Sequence, residues 1–488
     1  MPQQATKEAI KIAFAVTFAI CFALWLEWDK PYWAGMAALV MGMNESFGHA
    51  IHKGRNRILG TIIGAASGVI LISLFSQDRF WFLGSLTLML ALCVFMASNK
   101  KYGYIATISF IVCLIVASVG GFDSETTFTI LLLRLQETFL GVITYSLVYR
   151  FIWPKESEEA FFLQFSQVRA KLVASYEILA LSTQKQAIRH PNNTFHLNVN
   201  IQTLYDLVSM PLKGSYRLSQ YRQLWKDRVK AMFVAQYCLT LLQEKLRTEG
   251  TIEGDFINQQ APIKNPLLLL KSTIAYLKIL ESAIEISLDT TIDYKSVKKT
   301  PCPKRIVVAY QYLPEQAKSN LLAKKDYLQD GKKALKAVSI FVTSLLLWIY
   351  LPIPDSYMFP LNAGVFATIL AVLPDNAVKD WMIGYLGFGA LYIAQYVFLL
   401  PGLTEVWQLA IFYFANIFLL WKVFYKPQQL GFRVIGGNML MMMTMGALHL
   451  TPVYDVETSL SMLVYMMFGL MVTQFYIHLF SVRMTPNS

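Results

Sequence analysis

The sequence predicts an all-α integral membrane protein: two six-helix transmembrane bundles, related as a parallel repeat, flanking a helical cytoplasmic domain. Three observations carry this. Of the 488 residues, 55% are hydrophobic and only 15% charged, where a soluble chain holds roughly a quarter charged. Long stretches such as Ile62 to Phe75 and Ser339 to Leu351 carry no charge at all. The polar residues are concentrated in one central block with apolar windows on both sides, each about the 20 residues that a bilayer core requires.

The expected spans are 9–28, 32–50, 57–76, 80–98, 103–121 and 128–151, then 333–351, 357–375, 381–400, 404–422, 431–450 and 459–481. The domains follow as 1–152, 153–331 and 332–483. The first apolar stretch has Lys7 and Lys11 before it, as a signal peptide would. It ends in bulky FALWLEW, so it reads as an uncleaved first span. The second half of 32–50 holds Asn44, Glu45 and His49, which suggests a broken or re-entrant segment.

With the N-terminus inside, the inner loops hold Lys53, Arg55, Arg57, Arg150, Lys333, Lys379 and Lys422, while the outer loops hold only the cations Lys30 and Arg79, beside Glu27, Asp29, Asp78, Asp123, Asp455 and Glu457. This positive-inside bias puts both termini and the central block in the cytoplasm. The net charge of +12 therefore reports orientation, and nucleic acid is not an expected partner. In the central block, Leu218, Tyr221, Trp225, Val229, Met232 and Leu239 recur at helical spacing, and Gly250 follows as a stop.

The halves share small features: Pro31-Tyr32 and Pro354-Asp355-Ser356-Tyr357, then Asn44-Glu45 and Asp375-Asn376, then Leu59-Gly60 and Leu386-Gly387. Repeated bundles with a route at their interface are a common transporter design.

Chemistry-bearing residues cluster in MGMNESFGHAIHKGRNRILGTIIGAASG and LLLRLQETFLG. A charge at mid-bilayer costs roughly 2.5–3.5 kcal/mol on insertion scales, so it faces a partner or a cavity. Glu45, Arg134 and Glu137, with Asn44, His49, Asp375 and Asn376, are candidates for coupling or substrate contact. Arg134 and Glu137, three apart, can also neutralise each other as a structural pair. His52, Lys53, Arg55 and Arg57 form either a simple cytoplasmic anchor or an electropositive entry for anions. Gly60, Gly64 and Gly68 share one helix face, where a second backbone can come close.

These two stretches resemble the fusaric acid resistance and aromatic acid exporter family. The family pattern has a Trp opening one span, matched by Trp33. A basic loop and Arg-x-x-Gly-Thr-x-x-Gly follow, matched by Arg57, Gly60, Thr61 and Gly64; a later Arg, acidic residue and Gly are matched by Arg134, Glu137 and Gly141. The resemblance covers about 10–153. It weakens in the second half, where Asp380-Trp381-Met382-Ile383-Gly384 lacks the Arg and Thr. It implies efflux of small aromatic carboxylates or related toxic organic anions across a bacterial inner membrane; with no ATP-binding loop in the chain, we expect the proton-motive force as the drive. It also implies a periplasmic membrane-fusion adaptor and an outer-membrane channel as partners, besides the lipid bilayer and the anion. A homo-oligomer stays open.

The alternatives are a passive organic-anion channel and a non-transporting envelope scaffold. The chain has no GxxxxGK[ST], HExxH or EF-hand loop, and its five cysteines make no metal spacing. We expect no enzymatic activity, no catalytic residue, no cofactor and no metal.

Overall fold

The computed structural model describes residues 2–42, 47–99, 102–121, 123–153, 157–182, 201, 204–205, 207–208, 220–249, 265–288, 301–313, 327–351, 357–373, 377–426 and 429–482. All regular structure among them is helical. The chain divides into two compact units. One joins Met1–Pro154 to Lys325–Ser488, and the other is Lys155–Lys324.

The first unit begins with α1 (Pro2–Trp25), α2 (Tyr32–Met41), α3 (Phe47–Phe75), α4 (Arg79–Ala97), α5 (Gly103–Val119) and α6 (Ser124–Phe151). The insert contributes α7 (Ser157–Ser182), α8 (Arg222–Glu249), α9 (Pro266–Leu288) and α10 (Lys304–Gln311). The first unit then resumes with α11 (Tyr327–Tyr350), α12 (Met358–Leu370), α13 (Ala377–Phe398), α14 (Val406–Val423), α15 (Leu430–Met443) and α16 (Val456–Val482).

Eight of these helices are long and apolar enough to cross a membrane: α1, α3, α4, α6, α11, α13, α14 and α16. The protein is a multi-pass membrane protein. The four shorter apolar helices, α2, α5, α12 and α15, are the second and fifth of each half.

Numbering the helices this way gives each half-one helix a counterpart ten higher, and the packing partners repeat under that shift. Helix α3 packs on α5 and α6, as α13 packs on α15 and α16; α2 packs on α6, as α12 packs on α16. Two further pairs exchange halves. Helix α1 packs on α14 and α11 on α4, while α2 packs on α15 and α12 on α5. The hydrophobic cores accordingly straddle the halves: one contains Leu90, Phe110, Phe341 and Ala367, from α4, α5, α11 and α12.

The termini of α6 and α16 show the repeat at atomic scale. Asp123 caps α6 by accepting the Thr126 N–H at 2.8 Å. Asp455 caps α16 by accepting the N–H groups of Glu457 at 2.9 Å and Thr458 at 3.3 Å. Each carboxylate also accepts its threonine hydroxyl. These bonds hold both carboxyls below the usual aspartate value, the threonine hydroxyl bond contributing most. The shared motif is Asp-x-Glu-Thr-[Thr/Ser].

Three sequence expectations need correcting. The basic stretch is not a loop between 32–50 and 57–76. Helix α2 stops at Met41, and Lys53, Arg55 and Arg57 lie inside α3. Several span ends also shift: α1 starts seven residues earlier at Pro2, α11 six earlier at Tyr327 and α6 four earlier at Ser124, while α15 ends seven earlier at Met443. Finally, Leu386-Gly387 does not match Leu59-Gly60 in packing. A Cβ on Gly387 would meet nothing, whereas one on Gly384 would meet Ile435 of α15 at 3.1 Å, so Gly384 is the glycine that reproduces the α3–α5 contact.

In the insert, Phe161, Phe162 and Phe165 of α7 surround the ring of Trp225 edge-on at 5.0–5.6 Å. The Arg228 guanidinium lies 4.4 Å from the Trp225 centroid. Leu239, Leu270 and Leu277 complete this core from α8 and α9.

Candidate functional site

The glycine stripe sets the site's geometry. A Cβ on Gly60 would stand 2.9 Å from the Ile105 carbonyl oxygen, one on Gly64 would collide with the Ser109 backbone, and one on Gly68 would meet Val116 at 3.1 Å. The stripe therefore seats α3 directly on the α5 backbone. Ser109 closes the seam by donating its hydroxyl to the Gly60 carbonyl at 3.1 Å. Thr61 turns inward and donates to the Arg57 carbonyl at 2.9 Å. Gly141 does the same work between α6 and α2, since its Cβ would meet Ala37 Cβ at 2.5 Å and the Ala34 carbonyl at 2.6 Å.

This close approach brings Trp33, at the start of α2, against Arg134 of α6. The guanidinium carbon lies 3.4 Å from the Trp33 ring centroid, a cation–π stack. Arg134 Nη1 is 3.6 Å from Glu137 Oε2, an ionic contact beyond hydrogen-bond length. Arg134 is 7% exposed and Glu137 1%. Both Glu137 oxygens are buried without a hydrogen bond, and the Trp33 indole N–H, beside Tyr32, has none of good geometry. Asp29 and Lys30, from the α1–α2 loop, are within electrostatic reach of Glu137. Burial pulls the Lys30 ammonium below the ordinary lysine value; Arg134 adds to this, while Glu137 and Asp29 oppose it.

The basic stretch lies next to this pair. Gly54 packs on Met41 and on Val142 of α6, which places it beside the middle of α6. Arg57 Nη1 donates to the Tyr104 hydroxyl at 3.3 Å, and Lys53 Nζ lies 5.2 Å from the Tyr104 centroid. Arg57 is within electrostatic reach of Arg134. Its Nε is buried without a partner. Arg55 is exposed.

The structure thus brings together Lys53, Arg57, Arg134 and Glu137, with Gly60, Thr61, Gly64, Gly68 and Gly141 as their packing frame. Asn44, Glu45, Asp375 and Asn376 lie outside the described residues. So do the side chains of His49 and His52, whose backbone is helical. The second half carries no described equivalent of the charged pair. Gly469 packs on Ala363 and Phe366 of α12 as Gly141 packs on α2, and the residues seven and four positions before it on α16, where Arg134 and Glu137 stand relative to Gly141, are buried Met462 and Tyr465.

Two features escaped the sequence reading. Trp33 was recognised only as a family position, not as the partner of Arg134. A second buried cluster holds the other end of α6. Lys11, 1% exposed, pairs with Glu8 at 3.2 Å and donates to the Trp153 carbonyl at 2.6 Å. Tyr149 donates to Glu8 at 3.0 Å. The Glu8–Lys11 spacing is the signal that was available; its partners are more than 130 residues away. A cavity of about 620 Å³, lined in part by Tyr396, His449 and Asp455, shares only Asp29 with the charged site.

The fold and site are those of a multi-pass helical membrane protein with a buried Arg–Glu pair stacked on tryptophan. The model of the fusaric acid resistance protein family matches residues 8–249, just under half of the chain; this is the family the sequence resembles, and the match implies a transporter-like membrane protein. The match runs through α7 and α8, beyond the resemblance read from sequence. Neither a curated protein nor a solved structure matches the chain.

Proposed function

We propose that this protein exports small aromatic carboxylates or related organic anions across a bacterial inner membrane, with all twelve apolar helices spanning and the insert and both termini in the cytoplasm. The observation that carries this reading is the Arg134–Trp33 stack at 3.4 Å: a fixed cation against an aromatic face, buried among transmembrane helices, suits a ligand that is itself a ring bearing a carboxylate. Lys53 and Arg57, both against Tyr104, repeat the same chemistry and act as the cytoplasmic entry. The proton-motive force drives export through its electrical part, because an anion leaving an inside-negative cell gains about 2.3 kcal/mol per 100 mV. A periplasmic adaptor and an outer-membrane channel complete the route. No step requires an enzymatic group or cofactor.

The test is retention of labelled benzoate by cells with and without the protein, with a proton uncoupler as control. Lower retention that the uncoupler abolishes supports the reading. Equal retention in both strains contradicts it, and ohmic benzoate currents in planar bilayers would assign a channel instead.

A further inference from the structure

We propose that the Arg134–Glu137 site accepts an anion only together with a proton on Glu137, so that Glu137 is the internal competitor of the transported carboxylate. This rests on the export reading and adds the rule by which its site loads.

The first argument is charge balance. With no ligand, the Arg134 cation and the Glu137 anion cancel. Both are almost wholly buried, in a helix that crosses the membrane, where an uncompensated charge is costly. An incoming carboxylate would leave the site with one excess negative charge. A proton on Glu137 restores neutrality, and the loaded site then holds the same net charge as the empty one.

The second argument is the geometry of the pair. At 3.6 Å Glu137 neutralises Arg134 without hydrogen-bonding to it, and both Glu137 oxygens lack a donor. Glu137 therefore has a vacant acceptor position for a proton. Arg134 is held in place by Trp33, not by the carboxylate, so it keeps its position when Glu137 lets go. A carboxylate arriving at Arg134 also supplies an acceptor near the Trp33 N–H.

Among the described residues the charged and titratable neighbours are few. Arg134, Lys30 and Asp29 act on Glu137; Tyr32 and Arg57 act on Arg134; Tyr357, before α12, faces Tyr32. None of these is a second buried carboxylate beside Arg134. Asp29 also lines the 620 Å³ cavity, so the proton exchanges through the α1–α2 loop. It returns to that same side when the anion departs. The net transfer is one anion, and the membrane potential remains its drive.

The test is benzoate binding to the purified full-length protein between about pH 6 and 9, where a benzoic acid is ionised. Calorimetry in buffers of different ionisation enthalpy measures proton uptake. The expected result is uptake approaching one proton per benzoate at the alkaline end, where affinity falls up to about tenfold per pH unit. Glu137→Gln should bind with no pH dependence and no proton uptake, while Glu137→Asp retains both. Binding to the wild type without proton uptake, or a Glu137→Gln protein with the wild-type pH slope, overturns this inference and leaves the export reading standing. Absence of benzoate binding to the wild type at every pH overturns both. The wild-type proton count decides the matter even if Glu137→Gln fails to fold.

Discussion

Ser109 and Gly60 are joined by a hydroxyl-to-carbonyl hydrogen bond of 3.1 Å, which exists only because Gly60 has no side chain to hold α5 away from α3. A Cβ at Gly64, one turn along, would collide with the Ser109 backbone. Gly64→Val should therefore force the helices apart, at a cost of about 1–3 kcal/mol for overpacking. The check is thermal unfolding of the detergent-purified protein. Gly84→Ala and Gly387→Ala, where a Cβ meets open space, should not lower the melting temperature, since alanine favours a helix over glycine.

The paired caps of α6 and α16 predict a pH effect. Asp123 and Asp455 are held below the usual carboxyl value by their threonine and backbone donors. A carboxyl with a depressed folded-state value contributes stability above its unfolded value of roughly 3.9 and loses it as pH falls through the lower folded value. Stability should decline below about pH 4 through these groups. Asparagine still caps a helix but does not titrate. In the Asp123→Asn/Asp455→Asn double variant the acid limb of the melting-temperature profile should be shallower, with little change at neutral pH.

The insert's thiols give an independent check on its core. Burial pushes Cys238 up to about 12 and Cys302 up to about 11, the latter also raised by Asp227. The reactive species is the thiolate. At pH 8 the folded protein should alkylate at both positions far more slowly than in denaturant, as read by peptide mass spectrometry. Fast labelling of Cys238 would mean that the packing around Trp225 is wrong.

Trp33 should matter to function through its face as well as its bulk. Trp33→Leu removes the stack with Arg134, worth about 0.5–2 kcal/mol, and should weaken benzoate binding by up to a few tens of fold. Trp33→Phe should lose less. Identical affinities for both variants would mean the ring holds Arg134 by volume alone.

The helices were legible because a bilayer demands long apolar runs, and each of the twelve expected segments overlaps a helix. The buried charges of α6 were legible for the same reason, since Arg134 and Glu137 interrupt an otherwise greasy run. The basic stretch was misplaced because clustered cations usually mark the end of a span. Here Tyr104 receives both Lys53 and Arg57, so α3 continues through them, and that partner sits on another helix. The same limit hid the Lys11–Trp153 contact and the crossing of α1 onto α14, which depend on residues far apart in the chain. The Asp123 and Asp455 caps were readable as a repeated motif and offer firmer evidence of duplication than Leu59-Gly60 and Leu386-Gly387 did.

The most direct test of the central claim is potential-driven benzoate efflux from proteoliposomes containing either the wild type or Arg134→Ala, at equal amounts of protein with matching thermal stability. The account predicts efflux from the wild type that rises with an interior-negative potential and disappears in Arg134→Ala. Undiminished efflux from a folded Arg134→Ala protein would contradict it.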